Sequence, residues 1–245
     1  MSKVKNIIAM IPAKLGSTRL PMKNLALLGG RPLIYYPIRA ARMSGVFDKV
    51  VINAENAIFA EIAKRYRVGF YQRPLELVSP TTKTDTVVYD FLSKNLCDIV
   101  AWVSPIAPFQ TSEEIREAVK YFIKEKLDSL MAVKNEQVHC IFKSKPVNFS
   151  LNKLFAQTQD LSPVQPFVYS LMMWRSKTFM QAFKEKGYAL LCGKVGYFPV
   201  GKFSSTIVKK KEDLMLADFI MQAMGRYKRY QVKYDHITKK LRKTR

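Results

Sequence analysis

The feature that most constrains the fold is an apolar run near the N-terminus that ends in a cationic loop. Residues Ile7 to Ile11 are all apolar, which is typical of a strand buried on both faces of a parallel sheet. Such sheets bind ligands at the loops that leave the carboxyl ends of their strands. The sequence therefore predicts an anion site, of the kind that holds a polyphosphate, in a loop that carries small residues and cations: Lys14, Gly16, Ser17, Thr18, Arg19 and Lys23.

The rest of the chain alternates between strand and helix patterns. We predict strands over Asn6–Ile11, Lys49–Asn53, Val68–Tyr71, Asp98–Val103, Asp128–Val133, Val168–Trp174 and Lys194–Val200. We predict helices over Leu33–Met43, Ile58–Tyr66, Asp85–Lys94, Ser112–Lys124 and Glu212–Tyr227, the fourth with an N-cap at Thr111. Repeated strand–helix–strand order indicates an α/β fold of three layers, with a mostly parallel sheet covered on both faces.

Two regions depart from this alternation. Residues 135–167 break into short polar and aromatic pieces with three prolines, which indicates an excursion from the domain. Residues 226–245 hold nine Lys or Arg against the single acid Asp235, so this tail contributes +8 to the net charge. The simplest partition is one domain over 1–225, including the excursion, followed by a basic C-terminal tail.

Composition limits the function classes. The chain has 245 residues, 48% of them apolar, which suits one globular domain with a proper core. A net charge of +22 favours anionic ligands, such as nucleotides or acidic sugars, and is also compatible with nucleic acid or an anionic membrane surface. The three cysteines, Cys97, Cys140 and Cys192, lie far apart, which argues against a zinc site or disulfide framework and favours a reducing cytoplasm. The apolar run at the N-terminus is too short for a signal peptide or a membrane span.

The N-terminal segment resembles the opening signature of the sugar nucleotidyltransferases, above all the cytidylyltransferases that activate acidic keto-sugars. The acylneuraminate branch opens with Ala-Arg-x-x-Ser-Lys-x-x-Pro-x-Lys-Asn, and the 3-deoxy-manno-octulosonate branch carries Ser-Thr-Arg-Leu-Pro-x-Lys. The positions that match one or both patterns are Ala13, Ser17, Thr18, Arg19, Leu20, Pro21, Lys23 and Asn24. Residues 29–34 then look like the Gly-x-Pro-Leu-Ile element that starts the family's first helix.

The resemblance implies a nucleotide-diphospho-sugar transferase fold, Rossmann-like, that forms a homodimer through the excursion at 135–167. It also implies transfer of CMP from CTP to an acidic, sialic acid-like sugar with release of pyrophosphate, for surface glycan synthesis. Such chemistry needs positioned positive charge, for which the catalytic candidates are Lys14, Arg19 and Lys23. The nucleotide-binding candidates are Ala13, Leu15, Gly16, Ser17, Thr18, Asn24, Arg73, Ser104 and Ala107.

The sugar-binding candidates come from three later elements. Residues 103–111 resemble a Leu-Gln-Pro-Thr-Ser-Pro-x-Arg-Thr loop and supply Gln110, but hydrogen-bonding positions of that loop are Ile106 and Ala107 here. His139 and Lys143 fall where the family has His-Pro-x-Lys, and Ser170 stands loosely where it has an asparagine. Arg73-Pro-Leu-Glu-Leu matches an Arg-Pro-x-Glu-Leu element, and the polar run after it lines the mouth of the family's site.

The sharpest departure concerns the metal. The acylneuraminate family holds magnesium with two aspartates in a Ser-x-Asp-x-Asp-x-x-x-Asp-Leu segment, whose equivalents here are Ile207 and Lys209. The usual oxygen ligands for Mg²⁺ are therefore absent, and the metal ligands of this chain are unknown. Asp213 matches the last aspartate of that segment, and its position also suits the start of the last helix.

Four hypotheses follow. The first is a cytoplasmic CMP-sugar synthetase. The second is a catalytically impaired homologue that keeps the fold and binds a nucleotide or a protein partner. The third is a nucleotidyltransferase with another base or sugar, its metal held elsewhere, for example by Asp85. Nucleic-acid binding by the aromatic and basic tail is the weakest.

Overall fold

A seven-stranded sheet organises the molecule. The computed structural model describes residues 6–227 and 230–238. The strands in chain order are β1 (Ile7–Pro12), β2 (Leu27–Leu28), β3 (Arg31–Pro32), β4 (Lys49–Ala54), β5 (Gly69–Gln72), β6 (Ile99–Val103), β7 (Ser129–Val133), β8 (Ile141–Phe142), β9 (Lys145–Pro146), β10 (Phe167–Arg175) and β11 (Val195–Pro199). The main sheet has the order β11-β7-β10-β6-β1-β4-β5, while β2 with β3 and β8 with β9 form small hairpins.

Within the part of the chain that the structure describes, six α-helices connect and cover these strands. They are α1 (Tyr35–Ser44), α2 (Ile58–Tyr66), α3 (Thr84–Lys94), α4 (Ser112–Lys124), α5 (Ser176–Lys186) and α6 (Lys211–Tyr227). The predicted N-cap of α4 is confirmed, because the Thr111 side chain accepts a hydrogen bond from the Glu114 N–H while the Glu114 side chain accepts one from the Thr111 N–H. This reciprocal capping satisfies two of the N–H groups that every helix start leaves free.

Strand β1 shows why the fold has three layers. All six of its residues are buried. Ala9 and Ile11 face one apolar cluster, and Ile8 and Met10 face the opposite one, which also contains Trp174. Burial on both faces requires helices on both sides of the sheet, so the predicted three-layer, mostly parallel α/β fold is confirmed.

Two features of the sheet were not predicted. Strand β10 runs antiparallel to both of its neighbours, β6 and β7, while the other neighbouring pairs of the main sheet are parallel. Helix α5 follows β10 directly, and its sequence carries four Lys or Gln among the apolar residues. Met172, Met173 and Trp174 are buried in β10, which confirms their prediction as core strand.

The excursion at 135–167 leaves the sheet between β7 and β10. It contains the β8–β9 hairpin and returns through an isolated bridge between Glu136 and Val164. Several of its apolar side chains are exposed, and Leu154 is 98% exposed. Of the predicted basic tail at 226–245, residues 226–227 end α6, and 230–238 are described with their apolar residues also exposed; the rest of that prediction lies outside the described residues. Within those described, no helix has the length and apolar character needed to cross a membrane.

Candidate nucleotide site

The topology locates a crevice at the carboxyl end of β1. The chain moves from β1 outward to β4 and β5 on one side, and then returns to place β6 on the other side of β1. Ligands of open α/β sheets bind where the strand order reverses in this way. The loops that leave β1 and β6 therefore border a natural binding site, and we call them the first loop (residues 13–24) and the second loop (residues 104–111).

A cavity of about 240 Å³ lies between these loops. Seven of the residues predicted for the site line it: Ala13, Lys14, Ser17, Lys23, Asn24, Arg73 and Ser104. The polar run after Arg73 also contributes, through Ser79, Thr82 and Thr84. The remaining walls include apolar side chains that were not predicted, among them Val87 and Trp102, together with Ile106. One side of the cavity is thus cationic and polar, and the other is largely apolar.

The first loop is held in place by a buried ion pair. The Arg73 guanidinium donates to the Ala13 carbonyl at 2.5 Å and lies 3.3 Å from the Glu55 carboxylate. The other oxygen of Glu55 accepts the Leu15 N–H at 2.8 Å. Both charged side chains are under 10% exposed. A buried charge without its partner is strongly destabilising, so each of the two side chains requires the other. Glu55 was not predicted as a site residue. It follows β4 directly, and it lies close to Arg73 because β4 pairs with β5.

Asn24 closes the first loop on itself. Its side-chain amide donates to the Lys14 carbonyl at 3.1 Å, and its own backbone carbonyl accepts the Ile34 N–H. Asn24 is 4% exposed, and its side-chain oxygen has no hydrogen-bond partner among the described residues. A buried acceptor without a partner costs stability. The Asn24 side-chain oxygen is therefore available to accept a hydrogen bond from a ligand in the cavity.

Lys23 is the principal cation of the cavity. Burial lowers the pKa of its ammonium group, and the positive charges of Arg19 and Lys14 lower that pKa further. Asp213 opposes the shift and Lys209 adds to it. No carboxylate of the described residues lies within ion-pair distance of Lys23. A buried ammonium crowded by like charges is stabilised by an incoming anion.

The other candidates of the first loop do not line the cavity. Leu15 contributes its N–H to Glu55, while Gly16 and Thr18 are exposed. Arg19 is also exposed, although its charge acts on Lys23. Their nucleotide-binding or catalytic roles stay predictions.

Several later candidates also lie away from the cavity lining. Ala107 is buried in the core, and Gln110 donates its amide to Glu114 at 2.8 Å, beside the start of α4. Ser170 is fully buried in β10, with a hydroxyl that has no partner among the described residues, and its backbone carbonyl accepts the Ser104 N–H. Their roles in binding stay predictions.

His139 and Lys143 lie in the excursion. The His139 ring stacks on Phe155 at 4.1 Å between ring centroids, and its Nε2 is 3.0 Å from the Ala156 carbonyl oxygen. Lys143 occupies the β8–β9 turn with a positive φ of 47°. Neither lines the cavity, so their sugar-binding role also stays a prediction.

The residues around the cavity do not fit a magnesium ion. Mg²⁺ requires oxygen ligands in near-octahedral geometry. Ile207 packs against the main core and Lys209 carries a positive charge, so neither family aspartate position supplies an oxygen. The alternative ligand Asp85 accepts the N–H groups of Ala189 and Leu190 with one oxygen. The described residues contain no group of three or more acids, histidines or cysteines that could hold a metal.

The three-layer α/β fold of this chain is also found in solved structures of other proteins. A solved structure of CMP:2-keto-3-deoxy-manno-octonic acid synthetase complexed with CTP superposes with a TM-score of 0.68, covering 90% of this chain and 100% of that one at 12% identity. A 4-diphosphocytidyl-2C-methyl-D-erythritol synthase from Anaerococcus prevotii gives a TM-score of 0.59 over 89% of this chain and 99% of that one, at 14% identity. At such identities the likeness establishes the shared fold.

The sequence gives the family. The sequence model of the cytidylyltransferase family matches residues 8–205, and the chain belongs to that family. Among its relatives, N-acylneuraminate cytidylyltransferase of Escherichia coli O18:K1:H7 is 35% identical over 133 residues, which are 52% of this chain and 31% of the relative. CMP-N,N'-diacetyllegionaminic acid synthase of Legionella pneumophila is 36% identical over 120 residues, 46% of this chain and 52% of the relative. The matched part therefore spans about a third to a half of these relatives.

Proposed function

We propose that this protein transfers CMP from CTP to an acidic keto-sugar and releases pyrophosphate. The observation that carries the proposal is that Lys23 lines the cavity, beside its apolar residues, with no ion-pair partner among the described residues. Membership of the cytidylyltransferase family and the names of the two relatives support the choice of nucleotide and of a sialic acid-like or legionaminic acid-like acceptor.

The reaction needs positioning and charge more than covalent help. The anomeric hydroxyl of the sugar attacks the α-phosphorus and loses its proton to solvent, a new phosphorus–oxygen bond forms, and the bond between the α-phosphorus and the bridging oxygen breaks as pyrophosphate leaves with the bonding electrons. Lys23 and Lys14 are placed to neutralise the charge that builds on the phosphates. Lys14 stands at the family's arginine position, so it supplies a charge without the two-pronged geometry of a guanidinium.

We also propose that the protein is a cytoplasmic homodimer that serves surface glycan synthesis. The exposed apolar side chains of the excursion, which include Ile141, Phe142 and Leu154, support an interface there. The resemblance assigns the same region to the family's subunit contact. An acidic sugar suits the strongly positive net charge of the chain.

The second candidate function is that of a homologue with impaired catalysis that binds a nucleotide or a protein partner. It is favoured by Ile207 and Lys209 at the aspartate positions, and by Ile106 and Ala107 in the second loop. The same residues favour a third candidate, a nucleotidyltransferase with a different base or sugar.

Pyrophosphate release tests these alternatives. The purified chain is incubated with CTP or UTP and with an N-acylneuraminate or a legionaminate, with and without Mg²⁺. We expect release with CTP that depends on the sugar and disappears in Lys23→Ala. Release with UTP but not CTP would favour the altered specificity. No release under any condition would favour the impaired homologue, and near-normal activity of Lys23→Ala would refute the assignment of the site.

A further inference from the structure

Residues 205–214, the segment in which the resembled family holds its metal, run beside the cavity. The Val208 N–H donates to the Ile106 carbonyl at 2.9 Å, and Ile106 lines the cavity. Val208 is fully buried, which fixes the register of this segment against the second loop. Residues 207 and 209 therefore flank a backbone contact with a cavity residue, although neither lines the cavity itself: Ile207 packs against the core and Lys209 is exposed.

The acid that remains in this segment is already engaged. One oxygen of Asp213 accepts the N–H groups of Lys209 and Lys210, at 2.8 and 2.9 Å, just before α6 begins. Helix starts favour an acid for this purpose. Asp213 thus fixes the backbone that carries Lys209, and a single carboxylate cannot supply the ligand set of an octahedral ion.

The charges around the cavity have the sign that attracts a polyphosphate and repels a metal ion. The charges that act on Lys23 are mostly positive, those of Lys14, Arg19 and Lys209, and Asp213 opposes them. In a partly buried site such charges are screened less than in water. The local field therefore disfavours a free divalent cation and favours the nucleotide in its most negative form.

We infer that this protein binds its nucleotide as the metal-free polyphosphate, with Lys14, Lys23 and Lys209 in place of the divalent cation. The inference rests on the proposed function for the choice of CTP. It also explains why Lys209 is tolerated where the family has an aspartate, because the ammonium neutralises phosphate oxygens directly. Mg²⁺ cancels part of the nucleotide's charge, so adding it should not strengthen binding.

Titration calorimetry with CTP at fixed, moderately high ionic strength tests the inference, once with EDTA and once with Mg²⁺. We expect a dissociation constant in EDTA equal to or lower than that in Mg²⁺. Lys209→Ala should weaken binding in EDTA about 10-fold, as expected for the loss of one charged hydrogen bond. The matched control is Lys94→Ala, an exposed lysine at the far end of α3, about 15 Å along the helix from Thr84 at the cavity. This control should change binding less than about twofold.

A second probe, inorganic tripolyphosphate, separates this inference from the proposed function. Metal-free binding of tripolyphosphate that Lys209→Ala weakens, with CTP bound no more tightly than tripolyphosphate, would support the inference and count against the cytidylyltransferase function. Binding of CTP that requires Mg²⁺ would overturn the inference and leave the proposed function standing. Binding of neither probe under any condition would overturn both, and equal effects of Lys209→Ala and Lys94→Ala would overturn the assignment of Lys209.

Discussion

The two loops that border the cavity leave neighbouring parallel strands and have opposite characters. The first loop is cationic, and its backbone is tied to a buried ion pair through Ala13 and Leu15. The second loop is mostly apolar, and its amide side chain at Gln110 is bound to Glu114, outside the cavity lining. Under the proposed function, this difference implies that binding of the polyphosphate and selection of the base or sugar depend on separate parts of the site. The first can persist while the second changes.

Replacing the central cation of the first loop should have the largest effect. Lys23→Met keeps the length of the side chain and removes its charge, so we expect turnover to fall at least about 100-fold. The thermal midpoint should stay equal or rise, because the variant removes a buried ammonium that has no ion-pair partner in the described part of the chain and is crowded by Arg19 and Lys14. Pyrophosphate release and thermal unfolding measure the two effects, with Lys94→Met as control. A loss of activity accompanied by a loss of stability would contradict the prediction that Lys23 serves turnover and does not stabilise the fold.

Breaking the ion pair behind the first loop should have the next largest effect. Glu55→Gln keeps an acceptor for the Leu15 N–H but leaves the buried Arg73 charge uncompensated. We expect the free energy of unfolding to fall by about 3 kcal/mol, and the affinity for CTP to fall with it as the loop loosens. Glu117→Gln is the matched control, since its pair with Lys120 is exposed and contributes less than about 1 kcal/mol. Equal denaturation midpoints for the two variants would show that the pair is not structural.

The pH dependence of binding should also report on the first loop. A phosphate beside Lys23 favours the protonated form of this lysine. At pH values where Lys23 of the free protein has lost its proton, binding of the phosphate is therefore accompanied by proton uptake. Affinity should therefore decline as the pH rises through the lowered pKa of Lys23, and the decline should be absent in Lys23→Met. The stability of the free protein should rise over the same range, because the unfolded lysine holds its proton up to the ordinary value of 10.5. A wild-type affinity for CTP that stays constant with pH would rule out the linkage.

The second loop should give the smallest effect on the nucleotide. Gln110→Ala removes the hydrogen bond to Glu114, so we expect a loss of about 1 kcal/mol in unfolding free energy. The affinity for CTP should stay within about twofold, because Gln110 does not line the cavity. Calorimetry with CTP measures the affinity, and the KM for the sugar tests the predicted sugar contact. A large drop in CTP affinity would show that the second loop also contributes to nucleotide binding, contrary to this prediction.

Much of the fold could be predicted because its signals are local. Helix α2 and helix α4 begin and end where their patterns place them, and the cap at Thr111 needs only the three residues that follow. The direction of β10 could not be predicted in this way. Its apolar pattern suits either direction, and the outcome depends on where the 135–167 excursion returns the chain to the sheet.

The site divides in a similar way. Lys14, Ser17, Lys23 and Asn24 share one loop, so their approach to a common cavity follows from sequence spacing. Glu55 could not be placed because its contact with Arg73 requires β4 and β5 to be neighbours, which is a long-range property. A buried arginine does require a carboxylate, so an acid at a strand end was a usable signal.

The most direct test of the account is a crystal structure of this protein with CTP. We predict that the triphosphate lies in the cavity between the two loops, with its oxygens within hydrogen-bond distance of the Lys14 and Lys23 ammonium groups and the base on the side of Ser104 and Trp102. Nucleotide bound at any other surface, with this cavity empty, would contradict the account.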